Sequence, residues 1–393
     1  MIKPFHPPLR TLMGPGPSDV SARVLEALSR PTIGHMDPEF IKLMDEIKDL
    51  LQYAFQTSNE LTIPVSAPGS AGMETVFANL LEPGDEVLIC QNGVFGMRMH
   101  ENAERCGATA IMLEQTWGET IDIDAVESAL GQHPTVKALA FVHAETSTGV
   151  RSDAEALCAL ARKFGCLSIV DAVTSLGGIE LDVDGWGIDA IYSGTQKCLS
   201  CVPGLSPVSF SAQAVEVIRN RSSKVQSWFL DLNLVMGYWG ADAKRAYHHT
   251  APVNSLYALH ESLLMLQEEG LQNAWSRHDL NHQALAAGIE ALGLSFIVDK
   301  DYRLPQLNAV SIPDNIDEAM VRSQLLSDYN LEIGAGLGSL AGKVWRIGLM
   351  GYASNKQNVV LLLTALDSVL TAMQAKVNSG KAVAAALQVY KQA

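Results

Sequence analysis

The chain of 393 residues is 48% apolar and 18% charged, and 43 acidic against 28 basic side chains give it a formal charge of -15. That length is too great for one compact core, so two domains, or a large domain with a smaller companion, are expected in a folded globular protein. The negative charge speaks against a nucleic-acid surface and leaves small molecules, including anions held at a locally basic site, as partners.

In chain order, the opening MIKPFHPPLR lacks an apolar segment and does not read as a secretory signal. From about residue 60 to 210, short apolar runs alternate with longer amphipathic stretches: LTIPVSA, GMETVFANLL, EVLIC and FGMRMHENAERCG. Further strands are expected at 138–145, 166–173, 190–197 and 207–211, with the helix DAEALCALARKFG between two of them. A mostly parallel sheet covered by helices accommodates this rhythm. Near Tyr257 the texture becomes one long helical pattern running to a cap at Gly293, and a second domain is expected to begin within it. The strand-like NAVSIP, LEIGAG and VWRIGLM, the helix DEAMVRSQLLSDYN and a last helix from about 355 to 376 make that part α+β. The domains expected are an arm over 1–20, a large domain over 21–265 and a small one over 266–393. The most apolar late run, Val359 to Met373, is cut by Asp367 and is too short to span a membrane. Six cysteines are too sparse for a disulfide framework and suit a cytoplasmic setting.

In open α/β sheets ligands sit beyond the carboxyl ends of the strands, so polar residues that end apolar runs come first. Three runs end in this way: His143 to Gly149, Asp171 to Ser175, and Ser193 to Lys197. A lysine just past a buried strand is desolvated, which lowers its pKa and suits it to Schiff-base chemistry. Paired with Asp171, Lys197 points to pyridoxal phosphate: the lysine carries the cofactor and the carboxylate keeps its pyridine nitrogen protonated. Either residue alone reads more simply as a surface lysine or a helix cap. Ser66 to Glu74 lies between a strand and a helix, where backbone N–H groups bind phosphate, although it matches neither a P-loop nor a dinucleotide fingerprint. GAGLGSLAGK fails as a Walker A motif. Arg346, in the apolar VWRIG run, suits a carboxylate bidentately. Adjacent His248 and His249, if on a strand, would face opposite ways, which favours a structural role over a metal site. The lone Cys198-x-x-Cys201 is weak evidence for zinc or redox work.

From Leu12 to about Leu370 the chain resembles the class V aminotransferases of pyridoxal-phosphate fold type I, specifically the alanine:glyoxylate and serine:pyruvate group. The segments that carry this are LMGPGPSDV, VHAETSTGV, IVDAVTSLGG, YSGTQKCLS, YWG, YHHTAPVNSLYAL, YRLP and GLGSLAGKVWRIGLMG. The resemblance implies a large domain with a mostly parallel seven-stranded sheet, a smaller C-terminal α+β domain, and a homodimer with shared active sites. It implies that Lys197 carries the cofactor and shuttles the proton, that Asp171 partners the pyridine nitrogen, that Phe95 stacks on the ring and that Thr146 bonds near it. Phosphate contacts are implied for Gly69, Ser70 and Gln196, with Tyr247 and Thr250 crossing from the other subunit. Arg346 and Gly16 are the implied substrate contacts, and no metal is expected.

Three departures stand out. Pro68 replaces the usual Ser or Thr of the phosphate turn, removing an N–H and a hydroxyl. Asp19 stands where Asn is common, and the tail VNSGKAVAAALQVYKQA is similar to that of ureidoglycine:glyoxylate aminotransferases. The leading expectation is transfer of an amino group from alanine or serine to glyoxylate by a ping-pong route. Ureidoglycine, 3-hydroxykynurenine or an aminophosphonate are alternative donors, and a non-catalytic binding protein of the same fold is the reading from another class.

Overall fold

The computed structural model describes residues 2–240 and 245–393. Its centre is a seven-stranded sheet of β1 (Leu61–Val65), β2 (Glu86–Gln91), β3 (Thr109–Glu114), β4 (Val136–Val142), β5 (Leu167–Asp171), β6 (Ala190–Tyr192) and β7 (Ser206–Phe210). The order is β1-β7-β6-β5-β4-β2-β3, with β7 antiparallel to both neighbours and every other pair parallel. Strands covered by helices on both faces have no solvent side, so β5 reads LSIVD with all five residues buried. The chain winds outward from β2 to β3 and then returns to β4, so the strand order reverses between β2 and β4, where a crevice opens at their carboxyl ends.

Several elements differ from the sequence expectation. The run at 138–145 stops as a strand at Val142, and Ala144–Glu145 pairs instead with Val150–Arg151 in a two-stranded ribbon. The run at 190–197 is a strand only to Tyr192, which leaves Ser193 to Lys197 as an irregular turn. The long helical pattern is two helices, Val253–Glu269 and Leu271–Ala291, parted at Gly270, whose φ of +83° an α-helix does not accept. The last expected helix spans Lys356–Ala372, and a further helix, Ala382–Gln392, lies against Leu271–Ala291, with Tyr390 Oη donating to Asn281 Oδ1 at 2.6 Å.

Apolar burial falls into two main bodies. One runs from Val24 to Ala274 around the large sheet. The other gathers Met13 with Ala284 to Ala386, including fully buried Trp345. Within the second lies an antiparallel sheet of β8 (Leu307–Ser311), β9 (Gly334–Ala335) and β10 (Val344–Gly348), in the order β8-β10-β9. The arm is tied to this body: Thr11–Leu12 runs parallel to Leu331–Glu332, and Gly348 N donates to Met13 O at 2.7 Å. No helix among the described residues is long and apolar enough to cross a membrane.

Candidate active site

Asp171 is the last residue of β5 and the register partner of Tyr192, the last of β6. Its carboxylate is 2% exposed. Oδ1 accepts from Val173 N at 2.8 Å and Oδ2 from the Tyr192 hydroxyl at 2.8 Å. Burial pushes its pKa up to about 7, with these two bonds opposing the shift. Tyr192 is a site residue that the sequence reading passed over, because its partnership with Asp171 depends on register between strands about twenty residues apart.

Lys197 follows β6 on the irregular turn and is 7% exposed. Burial brings its pKa down to about 8, which leaves an appreciable share of neutral amine near neutral pH. Its Nζ donates to Pro15 O, across the arm. Gly16, beside that acceptor, has φ +105°, and a β-carbon there would lie 2.8 Å from Lys197 Cδ, Cε and Nζ. The arm thus closes over the lysine at a point where only glycine fits.

The helix Gly69–Leu80 begins without a side-chain cap, since Pro68 occupies the N-cap position. Within that first turn Ala71 N and Gly72 N turn back to Pro68 O, and the N–H groups of Gly69 and Ser70 are left for another acceptor. Gly69 sits against the turn after β6, its absent β-carbon 3.5 Å from Ser193 O. Gln196 Oε1 is buried there without a partner. Turned over, that amide presents its NH2 to an anion. A bare helix start, an unsatisfied amide and a desolvated lysine beside a buried carboxylate fit the phosphate, aldehyde and ring of pyridoxal phosphate.

Phe95 lies at the start of the helix Val94–Arg105, directly after β2, half-buried with the Arg98 guanidinium 4.8 Å from its ring centre. Thr146 is buried across the crevice beyond β4. Arg346, on β10, reaches it from the second body: Nη1 donates to Thr146 O at 3.2 Å and Nε to Ala335 O at 2.6 Å. Burial draws the Arg346 pKa down to about 10. Its Nη2 is free of protein partners among the described residues and so is open to a carboxylate. Glu145, a fully buried carboxylate that the sequence reading gave no role, sits between these groups.

Tyr247 and Thr250 do not enter this site; both are exposed, Tyr247 to 63%, on a segment of irregular backbone. The expectation that His248 and His249 face opposite ways on a strand does not hold. There is no strand, and the two Nδ1 atoms meet at 2.8 Å while His249 Nε2 reaches Ser66 Oγ at 2.7 Å. The Asp19 carboxylate accepts from Leu12 N at 2.9 Å, so it holds the arm. Cys198 and Cys201 are buried, and burial lifts both thiols to about 12, which keeps them protonated. A cavity of about 570 Å³ opens against Cys198 to Ser200, lined also by Met265, Glu269 and Arg277 among others. Its two charged residues pair with each other.

The model of the aminotransferase class-V family matches residues 18–361. The chain is 42% identical to the alanine--glyoxylate aminotransferase of Rattus norvegicus, over 94% of this chain and 90% of that protein. It matches the crystal structure of an alanine--glyoxylate aminotransferase from Nostoc sp. with a TM-score of 0.92 and 48% identity, covering 94% of this chain and 97% of the other. It matches that of a ureidoglycine-glyoxylate aminotransferase from Bacillus subtilis with a TM-score of 0.96 and 41% identity, covering 99% and 100%.

Proposed function

The chain belongs to the aminotransferase class-V family and is a pyridoxal-phosphate-dependent transaminase of fold type I; from that premise we propose that it moves the amino group of alanine, or serine, to glyoxylate. The observation that carries this reading is the lysine of lowered pKa held, desolvated, at the crevice that a buried carboxylate and a buried guanidinium share. Glyoxylate is favoured as acceptor because it appears in the names of all three relatives described above, and alanine as donor because it appears in two.

Pyridoxal phosphate, when bound, supplies an aldehyde that takes the amino group and a ring that accepts the electron pair released at the substrate Cα. Lys197 Nζ would hold the cofactor until the substrate amine displaces it, and the neutral amine so freed would be placed to take the Cα proton and return it. Asp171 would keep a proton on the ring nitrogen, and Tyr192 and Val173 hold that carboxylate in place. Gly69, Ser70 and Gln196 would hold the phosphate, Phe95 would pack on the ring and Thr146 would bond near it. Arg346 binds the carboxylate that amino donor and oxo-acid acceptor both carry, with Gly16 at the mouth. One carboxylate clamp serves both halves of the reaction, so the two substrates take turns in one site and the kinetics are ping-pong.

In this reading the chain divides into an arm over 1–20, a large domain over 21–265 and a small domain over 266–393, with Lys197 and Arg346 in different domains. The functional unit in this reading is a homodimer, in which the exposed Tyr247 and Thr250 serve the neighbour's phosphate site. Six free, buried cysteines suit the reducing cytoplasm. A half-reaction assay tests the specificity: alanine should convert the bound cofactor to its amine form, with loss of its visible absorbance, and glyoxylate should reverse it. Conversion by ureidoglycine but not by alanine would overturn the donor assignment.

A further inference from the structure

The helix that begins at Val94 has no cap of its own, because its N-cap residue is Gly93. The cap comes from the loop beyond β4. Ser147 Oγ accepts from Val94 N at 3.0 Å, and Glu145 Oε2 accepts from Phe95 N at 3.1 Å. The other carboxylate oxygen, Oε1, accepts from Ser147 N at 2.9 Å and from Ser147 Oγ at 2.6 Å. Glu145 is fully buried and spends both oxygens on these donors. Gly93 makes the approach possible, since a β-carbon there would stand 2.4 Å from Glu145 Cγ and Cδ and from Ser147 Oγ. These bonds join the two strands that flank the reversal of strand order. The same turn presents Thr146 O to Arg346.

We propose that Glu145 is a positioning residue: seated on Phe95 N and braced by Ser147, it fixes the first turn of the Val94 helix so that the Phe95 ring lies flat against the cofactor. The proposal rests on the assignment of Phe95 to the ring face. A buried carboxylate is a strong acceptor for helix-terminal N–H groups, whose partial positive charge it also offsets. An exposed cap is redundant with water, whereas a buried one sets the direction in which the helix leaves the strand, and the side chain on its second residue moves with it.

The test is a double-mutant cycle on cofactor binding by the apoprotein, using Glu145→Gln and Phe95→Ala singly and together, read by absorbance titration and by the visible circular dichroism of bound pyridoxal phosphate. Glu145→Gln keeps the shape but turns one acceptor into a donor. Each single change should weaken binding about tenfold and diminish the dichroism, and the pair should be no more than about twofold worse than the poorer single, because both act through one ring. Losses that multiply, or wild-type binding by Glu145→Gln, would overturn the proposal. Normal binding by Phe95→Ala alone would instead remove the ring-face assignment and the proposal with it. Ser147→Ala, which leaves the carboxylate in place, decides the matter if Glu145→Gln does not fold. Its smaller loss should vanish in the Phe95→Ala background, and persistence of that loss there counts against the proposal.

Discussion

The hydroxyl of Tyr192 donates to Asp171 Oδ2 at 2.8 Å between register partners on adjacent strands, both buried. This bond lowers the pKa of a carboxyl that burial raises to about 7. The working form is the carboxylate, so removing the bond raises the pKa and withdraws that form from the acid side. Tyr192→Phe should therefore weaken capture of the cofactor by the apoprotein more at pH 6 than at pH 8, measured by absorbance titration at the two pH values. The stability cost of the unpaired acceptor should be about 1–3 kcal/mol. A uniform loss across pH would assign Tyr192 to packing alone. Asp171→Asn keeps a group at both positions but removes the charge, and should lose roughly 100-fold or more in turnover while still binding cofactor.

Gly16→Ala places a carbon where Lys197 already lies, at a φ of +105° that itself disfavours a side chain by about 1–3 kcal/mol. The lysine should be displaced from Pro15 O, and sodium borohydride should fix less cofactor to the Lys197 peptide. Gly14→Ala is the neighbouring control, because its added carbon meets only backbone, at 3.8 Å and beyond. Equal trapping in the two variants would show that the arm yields and the lysine does not.

Covalent capture of pyridoxal phosphate requires the neutral amine. With the Lys197 pKa near 8, the capture rate of the apoprotein should climb about tenfold per pH unit below 8 and level off above it. Stopped-flow absorbance measures this. A rate still climbing at pH 10 would describe a lysine in water.

Shared sites are tested by mixing two inactive proteins after dissociation, Lys197→Ala and the double variant Tyr247→Ala, Thr250→Ala. Each mixed dimer would hold one site with its own and its borrowed residues intact, so activity should return to about a quarter of wild type under random pairing into dimers with one competent site in half of them. Confirmed mixed dimers without activity would reject the arrangement.

Much of the large sheet is legible in the sequence because strands buried on both faces are continuous apolar runs, as in β4 and β5. β3 escapes because it is the sheet's edge, paired with β2 alone and half-exposed, so its run is not continuously apolar. The break at Gly270 escapes because apolar residues recur at helical spacing on both sides of it, and a single glycine within a helical pattern is commonly tolerated. Lys197 and Asp171 stand out since each chemistry names a residue type. Tyr192 and Glu145 do not, because the partners that give them a role, Asp171 and Phe95, lie on another strand and at the start of a helix, and a hydrogen bond between distant segments leaves no periodicity in one chain.

The arm that supplies Pro15 O to Lys197 is hydrogen-bonded through Met13 to Gly348, two residues beyond Arg346. The strand that offers the guanidinium and the carbonyl that restrains the lysine are therefore fixed to one another. The carboxylate clamp and the tether on the nucleophile thus share one frame, and a change at the Met13–Gly348 bond reaches both ends of the site.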